Sequence, residues 1–177
     1  MEFTIRPIKE ADRNWIPRFV REQWGAEFVV AHGVVYYPHE LQGYVAEIDQ
    51  KNFLGLATFV IENSACELVT LNSVHQGQGI GTGLVQAVAQ RAVLAGCSRM
   101  WCITTNDNLP ALEFYQKRGF RIIAVHAGAV ERSRELKPSI PILGIDGIPI
   151  RDEIELELQL HTNSNGPVMI TNAGKPA

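Results

Sequence analysis

The sequence holds no block of basic residues: 16 Lys and Arg are scattered against 19 Asp and Glu, for a net charge of -3. Binding a nucleic-acid backbone requires a concentrated positive surface, so nucleic acid is not an expected partner. Cysteine is scarce. Cys66, Cys97 and Cys102 form neither a C-x-x-C pair nor a metal-ligand pattern with nearby histidines. They read as buried thiols of a reducing compartment, and no metal is expected. Long apolar runs are missing too: the longest, residues 28–37, is broken by His32 and Gly33. The first residues, Met1-Glu2-Phe3-Thr4-Ile5-Arg6, lack the basic and apolar regions of a secretory leader. No membrane association is expected, and the cytoplasm is the expected location. Internal repeats and low-complexity blocks are absent.

What is present is enough apolar material for one core. Of 177 residues, 46% are hydrophobic and 20% charged, which suits one domain and leaves no room for two independent catalytic domains. Residues 3–8 read as an edge strand ending near Pro7. In residues 10–24, Ala11, Trp15, Ile16, Phe19, Val20 and Trp24 recur at helical period, with Pro17 setting a kink or a helix start. Residues 28–39 are aromatic and irregular. Three strand-like runs follow, 42–48, 53–62 and 66–74, separated by short polar breaks, as in an antiparallel meander. Ile80, Leu84, Ala87, Val88, Arg91, Ala92 and Ala95 mark a helix ended by Gly96. Residues 99–105 form a strand without strict alternation, which suggests burial on both faces. Residues 109–118 are helical, with Asn108 as cap, Pro110 in the first turn and Gly119 as stop. Strands follow at 120–125 and 154–160. Between them, residues 131–151 make an excursion with a turn at Asp146-Gly147, and 161–177 read as a loose tail after a domain spanning 1–160. The element order is that of an α+β fold with a mixed sheet.

Four glycines, Gly77, Gly79, Gly81 and Gly83, alternate where a strand hands over to a helix. Such a turn suits phosphate, because backbone without Cβ atoms approaches the anion closely and presents N–H groups at the positive helix end. A Walker A loop needs G-x-x-x-x-G-K-[ST], and no lysine lies between Lys51 and Lys117. A dinucleotide fingerprint needs G-x-G-x-x-G/A. Here Gly77-x-Gly79 is followed at the third position by Thr82, and Gly79-x-Gly81 by Leu84, which disfavours a nicotinamide-binding oxidoreductase.

The pattern that does match is Q-x-x-G-x-G, in Gln76-Gly77-Gln78-Gly79-Ile80-Gly81, and it resembles the acyl-CoA pyrophosphate loop of the GNAT superfamily of N-acetyltransferases. Downstream, Asn108-Leu109-Pro110-Ala111-Leu112-Glu113-Phe114-Tyr115-Gln116-Lys117-Arg118-Gly119-Phe120 resembles that family's N-x-x-A-x-x-[FL]-Y-x-x-x-G-F. The resemblance covers roughly residues 3–160, with 66–120 as the acyl-CoA-binding core. The stretch from Leu71 to Gln76 departs from the common form by being shorter and lacking its proline.

The resemblance implies a mostly antiparallel sheet of about seven strands with helices on both faces, and direct transfer of an acetyl group from acetyl-CoA to a primary amine. It implies that the N–H groups of Gln78, Gly79, Ile80, Gly81 and Thr82, with Gly77, hold the pyrophosphate and that Gln76 supports the loop. Gly79 and Gly81 are expected nearest the phosphates, with Gly83 permitting close packing. Leu71, Asn72 and Val74 are expected along the pantetheine arm, with the oxyanion near residues 72–74. Tyr115 is implied as the acid that protonates the leaving thiolate, and a phenol with pKa about 10 can do so. Glu67 is the candidate base, against a reading as a strand-end carboxylate. Asn106 and Asn108 could bond the pantetheine amides, or serve as a turn residue and a helix cap. Tyr36, Tyr37 and His39 are the acceptor-site candidates, with His126 at the end of a strand. Within the excursion, residues 139–151 are a candidate for part of the acceptor pocket or for a homodimer contact. A non-catalytic acetyl-CoA-binding module remains the alternative to an enzyme.

Overall fold

The structure is a computed structural model that describes residues 2–49, 52–75 and 77–161. Nine strands and four helices are formed by the described residues: β1 Thr4–Pro7, α1 Ile16–Trp24, β2 Val29–Ala31, β3 Val34–Tyr36, β4 Gln42–Glu47, β5 Phe53–Glu62, β6 Ala65–Ser73, α2 Ile80–Leu94, β7 Arg99–Thr105, α3 Leu109–Gln116, β8 Arg121–His126, α4 Ala129–Leu136 and β9 Glu153–Gln159. Seven strands make one sheet in the order β1-β4-β5-β6-β7-β9-β8, and β2 and β3 form a separate hairpin. The β6–β7 pair is parallel and every other pair antiparallel, which is the expected mixed α+β sheet.

Local chemistry accounts for the element ends. Pro17 sits in the first turn of α1, where a missing N–H costs little, and Gly25 ends the helix in the left-handed region with its N–H on Arg21 O. The β5–β6 hairpin turns on Asn63 and Ser64, both at positive φ. Two cores follow. Leu68, Met100, Cys102 and Leu156 pack on one sheet face against Leu84, Val85 and Val88 of α2 and Tyr115 of α3. Ile16 and Val20 of α1 pack on the other face with Val29, Val45 and Leu56. Arg6 ties the edge of the sheet to the start of α1. Its guanidinium reaches both oxygens of Asp12, at 2.6 and 3.0 Å, and both of Glu47, at 2.7 and 2.8 Å.

Three expectations need adjustment. Residues 28–39 contain the β2–β3 hairpin instead of irregular chain, with His32-Gly33 as its turn. The first part of the excursion is helical, because α4 needs only a narrow buried face, Val130, Ser133 and the following Lys137. β7 does alternate: Met100, Cys102 and Thr104 are buried while the intervening residues are half-buried. The proposed tail from residue 162 lies outside the described residues.

Candidate active site

The two parallel strands pair only from Ala65 to Glu67 against Arg99 to Trp101. Beyond that point β6 bulges, with Thr58 opposite Thr70 and Phe59 opposite Leu68, so that Val69 is the extra residue. A bulge bends its strand, while β7 stays paired with β9 as far as Thr105. The sheet therefore opens between β6 and β7, with Glu67 and Trp101 as the last pair before the gap. Leu71 turns its side chain into the core, and Asn72 accepts the indole N–H of Trp24 on its Oδ1 at 3.0 Å. The Val74 N–H donates to Leu54 O at 2.8 Å. This removes Val74 as an oxyanion donor. Since successive N–H groups of a strand point to opposite sides, the Ser73 N–H is the one that faces the gap.

The glycine turn closes the wide end of the opening. Gly77 and Gly79 have φ of 77° and 80°, and a Cβ built on either would meet no atom within 4 Å. Backbone conformation, with open space outside it, makes these two positions glycine. Gly79 is the N-cap of α2, and Gly83 N–H to Gly79 O is the first helical bond, so Ile80, Gly81 and Thr82 have no helical carbonyl to bond. Gly81 and Gly83 answer to packing: a Cβ would lie 3.1 Å from the Phe114 ring at Gly81 and 2.6 Å from Ile5 Cδ1 at Gly83. This bears out the packing role of Gly83 and places Gly81 beside it. Gln76 lies outside the described residues. The turn has no cation of its own, yet one stands beside it. Arg118 donates from Nε and Nη2 to Thr82 Oγ1 at 2.9 and 2.6 Å and from Nη1 to Phe114 O at 2.7 Å, with its guanidinium 3.5 Å from the Phe114 ring centroid. Nothing in the local motif singles this arginine out.

Tyr115 comes from α3, whose first turn is capped by Asn108 Oδ1 accepting the Ala111 N–H at 3.2 Å. Asn108 thus serves as the cap. The Tyr115 side chain is buried in the core beside the Cys102 thiol, one residue past the end of the parallel pairing. Burial and the thiol hold the phenol well above its ordinary pKa, so it keeps its proton at neutral pH. Asn106 clamps the excursion: its amide donates to Pro149 O at 3.0 Å and its Oδ1 accepts the N–H groups of Arg151 and Asp152.

On the opposite face of the sheet from Cys102, Glu67 is 7% exposed and sits in a polar cluster. His32 Nε2 lies 2.8 Å from Glu67 Oε1, and the Tyr36 hydroxyl donates to Glu67 Oε2 at 2.8 Å. Tyr36 O is also 3.1 Å from His32 Nε2. Glu153, at the start of β9, accepts the backbone N–H of His32 at 3.0 Å and the hydroxyl of Ser133 at 2.9 Å. Donation to the Glu67 carboxylate raises the His32 pKa above the ordinary value against the opposing effect of burial, and burial raises Tyr36. Tyr36 is thus brought to Glu67, while Tyr37 stays exposed near Phe28. His39 has its carbonyl held by Arg13 of the chain before α1, and no contact joins it to Glu67. His126 pairs with Glu155 at 3.0 Å. His32 and Glu153 are additions to the sequence-derived set. The available signal for His32 was the pair His32-Gly33 between two apolar triplets, a two-residue hairpin pattern.

A cavity of about 680 Å³ adjoins this cluster, with Trp24, Val29, Thr105, Val130, Ile140 and Ile150 among its walls. Its charged wall groups are Asp107, Lys137 and Glu153. Lys137 donates from Nζ to the carbonyls of Trp24 and Phe28, and Asp107 Oδ2 accepts the Ile145 N–H while its buried Oδ1 has no hydrogen-bond partner among the described residues. The excursion is therefore a wall of this cavity.

A sheet opened between two parallel strands, with a glycine turn at the wide end and a protonated phenol at the apex, defines an acyltransferase-type fold. The sequence model of the Acetyltransferase (GNAT) family matches residues 9–120. The uncharacterized protein YxbD of Bacillus subtilis is 38% identical over 156 residues, covering 88% of this chain and 98% of its own. Among solved structures, an IAA acetyltransferase from Bacillus cereus aligns with a TM-score of 0.66 at 21% identity, covering 90% of this chain and 100% of its own. A Bacillus subtilis acetyltransferase in complex with CoA aligns at 0.63 and 20% identity, with the same coverage, 90% and 100%. The chain belongs to the acetyltransferase (GNAT) family.

Proposed function

We propose that the protein is an acetyl-CoA-dependent N-acetyltransferase that passes an acetyl group directly to a primary amine. The observation that carries this reading is the pairing of two unlike sites across the β6–β7 opening. A buried, protonated Tyr115 lies on one face and the Glu67 cluster, next to a cavity, on the other. Gly77 and Gly79 leave open backbone at the turn, so the residues present suit a pyrophosphate, and Arg118 adds the positive charge that the turn lacks.

In this reading the thioester lies in the opening and its developing oxyanion meets the Ser73 N–H. The amine attacks the thioester carbonyl, the C–N bond forms, and the C–S bond breaks. Tyr115 gives its proton to the departing sulfur. The acceptor enters through the cavity beside Glu153, where the carboxylates of Glu153 and Asp107 favour a molecule bearing an amine. Calorimetry with acetyl-CoA, CoA and NAD provides the test. Binding of acetyl-CoA and CoA without NAD is expected, and NAD binding without CoA binding would remove the assignment.

A further inference from the structure

Glu67 has both of its oxygens occupied, one by His32 and one by Tyr36. A carboxylate so engaged is poorly placed to receive a proton from a substrate, but well placed to orient an imidazole. His32 is the more accessible member, with its side chain 30% exposed against 8% for Glu67. When Nε2–H donates to the Glu67 carboxylate, Nδ1 is left with its lone pair.

The backbone supports the same view. His32 and Gly33 are the two central residues of the β2–β3 turn, with φ of 42° and 80°. Positive φ at both positions is the geometry that Asn-Gly fills best, and a histidine at the first is uncommon. A residue that breaks the local rule while its own N–H is held by Glu153, and its ring by Glu67, is being positioned for its ring.

We propose that His32 is the general base of the transfer, taking the proton of the attacking amine on Nδ1, with Glu67, Glu153 and Tyr36 as positioning residues. This rests on the N-acetyltransferase reading. Counted from the neutral amine, which an ammonium becomes by releasing one proton to solvent, the proton balance is complete: the amine loses one proton to His32, the departing sulfur gains one from Tyr115, and exchange with solvent restores both groups. The groups that face the imidazole are Glu67 of β6, Tyr36 of β3, and Glu153 and Glu155 of β9, with the Trp101 ring of β7 5.3 Å away. The three carboxylates raise the His32 pKa, so the acid limb of the rate profile should lie above pH 6.5.

The test uses the full chain and two variants. His32→Asn creates the favoured Asn-Gly turn, so folding, melting temperature and acetyl-CoA affinity by calorimetry should be kept. Its kcat should fall by about 10²- to 10⁴-fold and recover in part with added imidazole. Glu67→Gln should keep measurable turnover and move the acid limb to lower pH. In parallel, side-chain nitrogen NMR should show His32 with a protonated Nε2 and a pKa that falls in Glu67→Gln. A folded His32→Asn with wild-type kcat would overturn the proposal. So would a Glu67→Gln variant that is inactive at every pH, which would return the base role to Glu67. Wild-type protein silent toward every amine, despite the expected NMR behaviour, would instead refute the transferase reading on which the proposal stands.

Discussion

Tyr115 holds its proton because burial makes a phenolate costly there. The same burial disfavours a thiolate leaving beside it, as it does the neighbouring Cys102 thiol, whose pKa is also raised, and this draws the phenol proton to the departing sulfur. Tyr115→Phe keeps the ring and removes the donor. It should lower kcat by about 10²-fold with acetyl-CoA affinity unchanged, as read by steady-state kinetics and calorimetry. His32 adds a stability effect of known sign. Its pKa is raised in the folded state, so the His32–Glu67 attraction stabilises fully below about pH 6.5 and is lost as pH rises through the folded value. Asn108 is legible in the sequence because its partner lies within one helix turn, and Tyr115 because its helix carries the motif that resembles the family's. His32 is not, because its ring partner is 35 residues away and its backbone partner 121 residues away. Only the topology joins them.

At the scale of elements, glycines that look alike in the sequence do different work. Gly79 is required by its φ of 80° and the open space outside it, and Gly55 by a neighbouring backbone: a Cβ there would lie 2.6 Å from the Asn72 carbonyl oxygen and 3.0 Å from Ile80 and Leu84. Gly79→Ala should therefore weaken acetyl-CoA binding by about tenfold or more, since an alanine at positive φ costs roughly 1–2 kcal/mol and moves the N–H groups. Gly55→Ala should chiefly lower stability, by about 1–3 kcal/mol in chemical denaturation, because α2 must lift from β5. Reversal of that pattern would separate the turn from ligand binding. The strand, glycine turn and helix were readable because each rests on local chemistry. α4 was not, since its sequence AVERSREL is mostly polar and its buried face is narrow. The β6 bulge is likewise invisible, because it depends on pairing with β5.

Across the whole molecule, the seven-stranded sheet serves to open one seam, between β6 and β7, while the rest stays closed. The far edge is secured by Arg6 between Asp12 and Glu47, and the guanidinium lowers the Asp12 pKa from 3.8 to about 2. A lowered carboxylate pKa stabilises above the unfolded value and loses that contribution as pH falls toward 2. Asp12→Ala would leave a half-paired Arg6 and should cost about 3 kcal/mol. At this chain length the melting temperature at pH 7 should drop by roughly 6–12 °C, and the difference from wild type should shrink on acidification. The fold class and strand count were within reach of motif and periodicity. The cavity walled by α1, α4 and the excursion was not, because its walls are brought together only by the closed fold.

The central claim is turnover, and the most direct measurement is release of CoA thiol from acetyl-CoA across polyamines, amino acids, aminoglycosides and peptide amines, with mass spectrometry of the products. Thiol should appear in equal amount with an N-acetylated amine for at least one member of the panel. Acetyl-CoA bound tightly by the folded protein, with no acetylated product from any amine, would contradict the claim and leave a module that binds acetyl-CoA without transferring it.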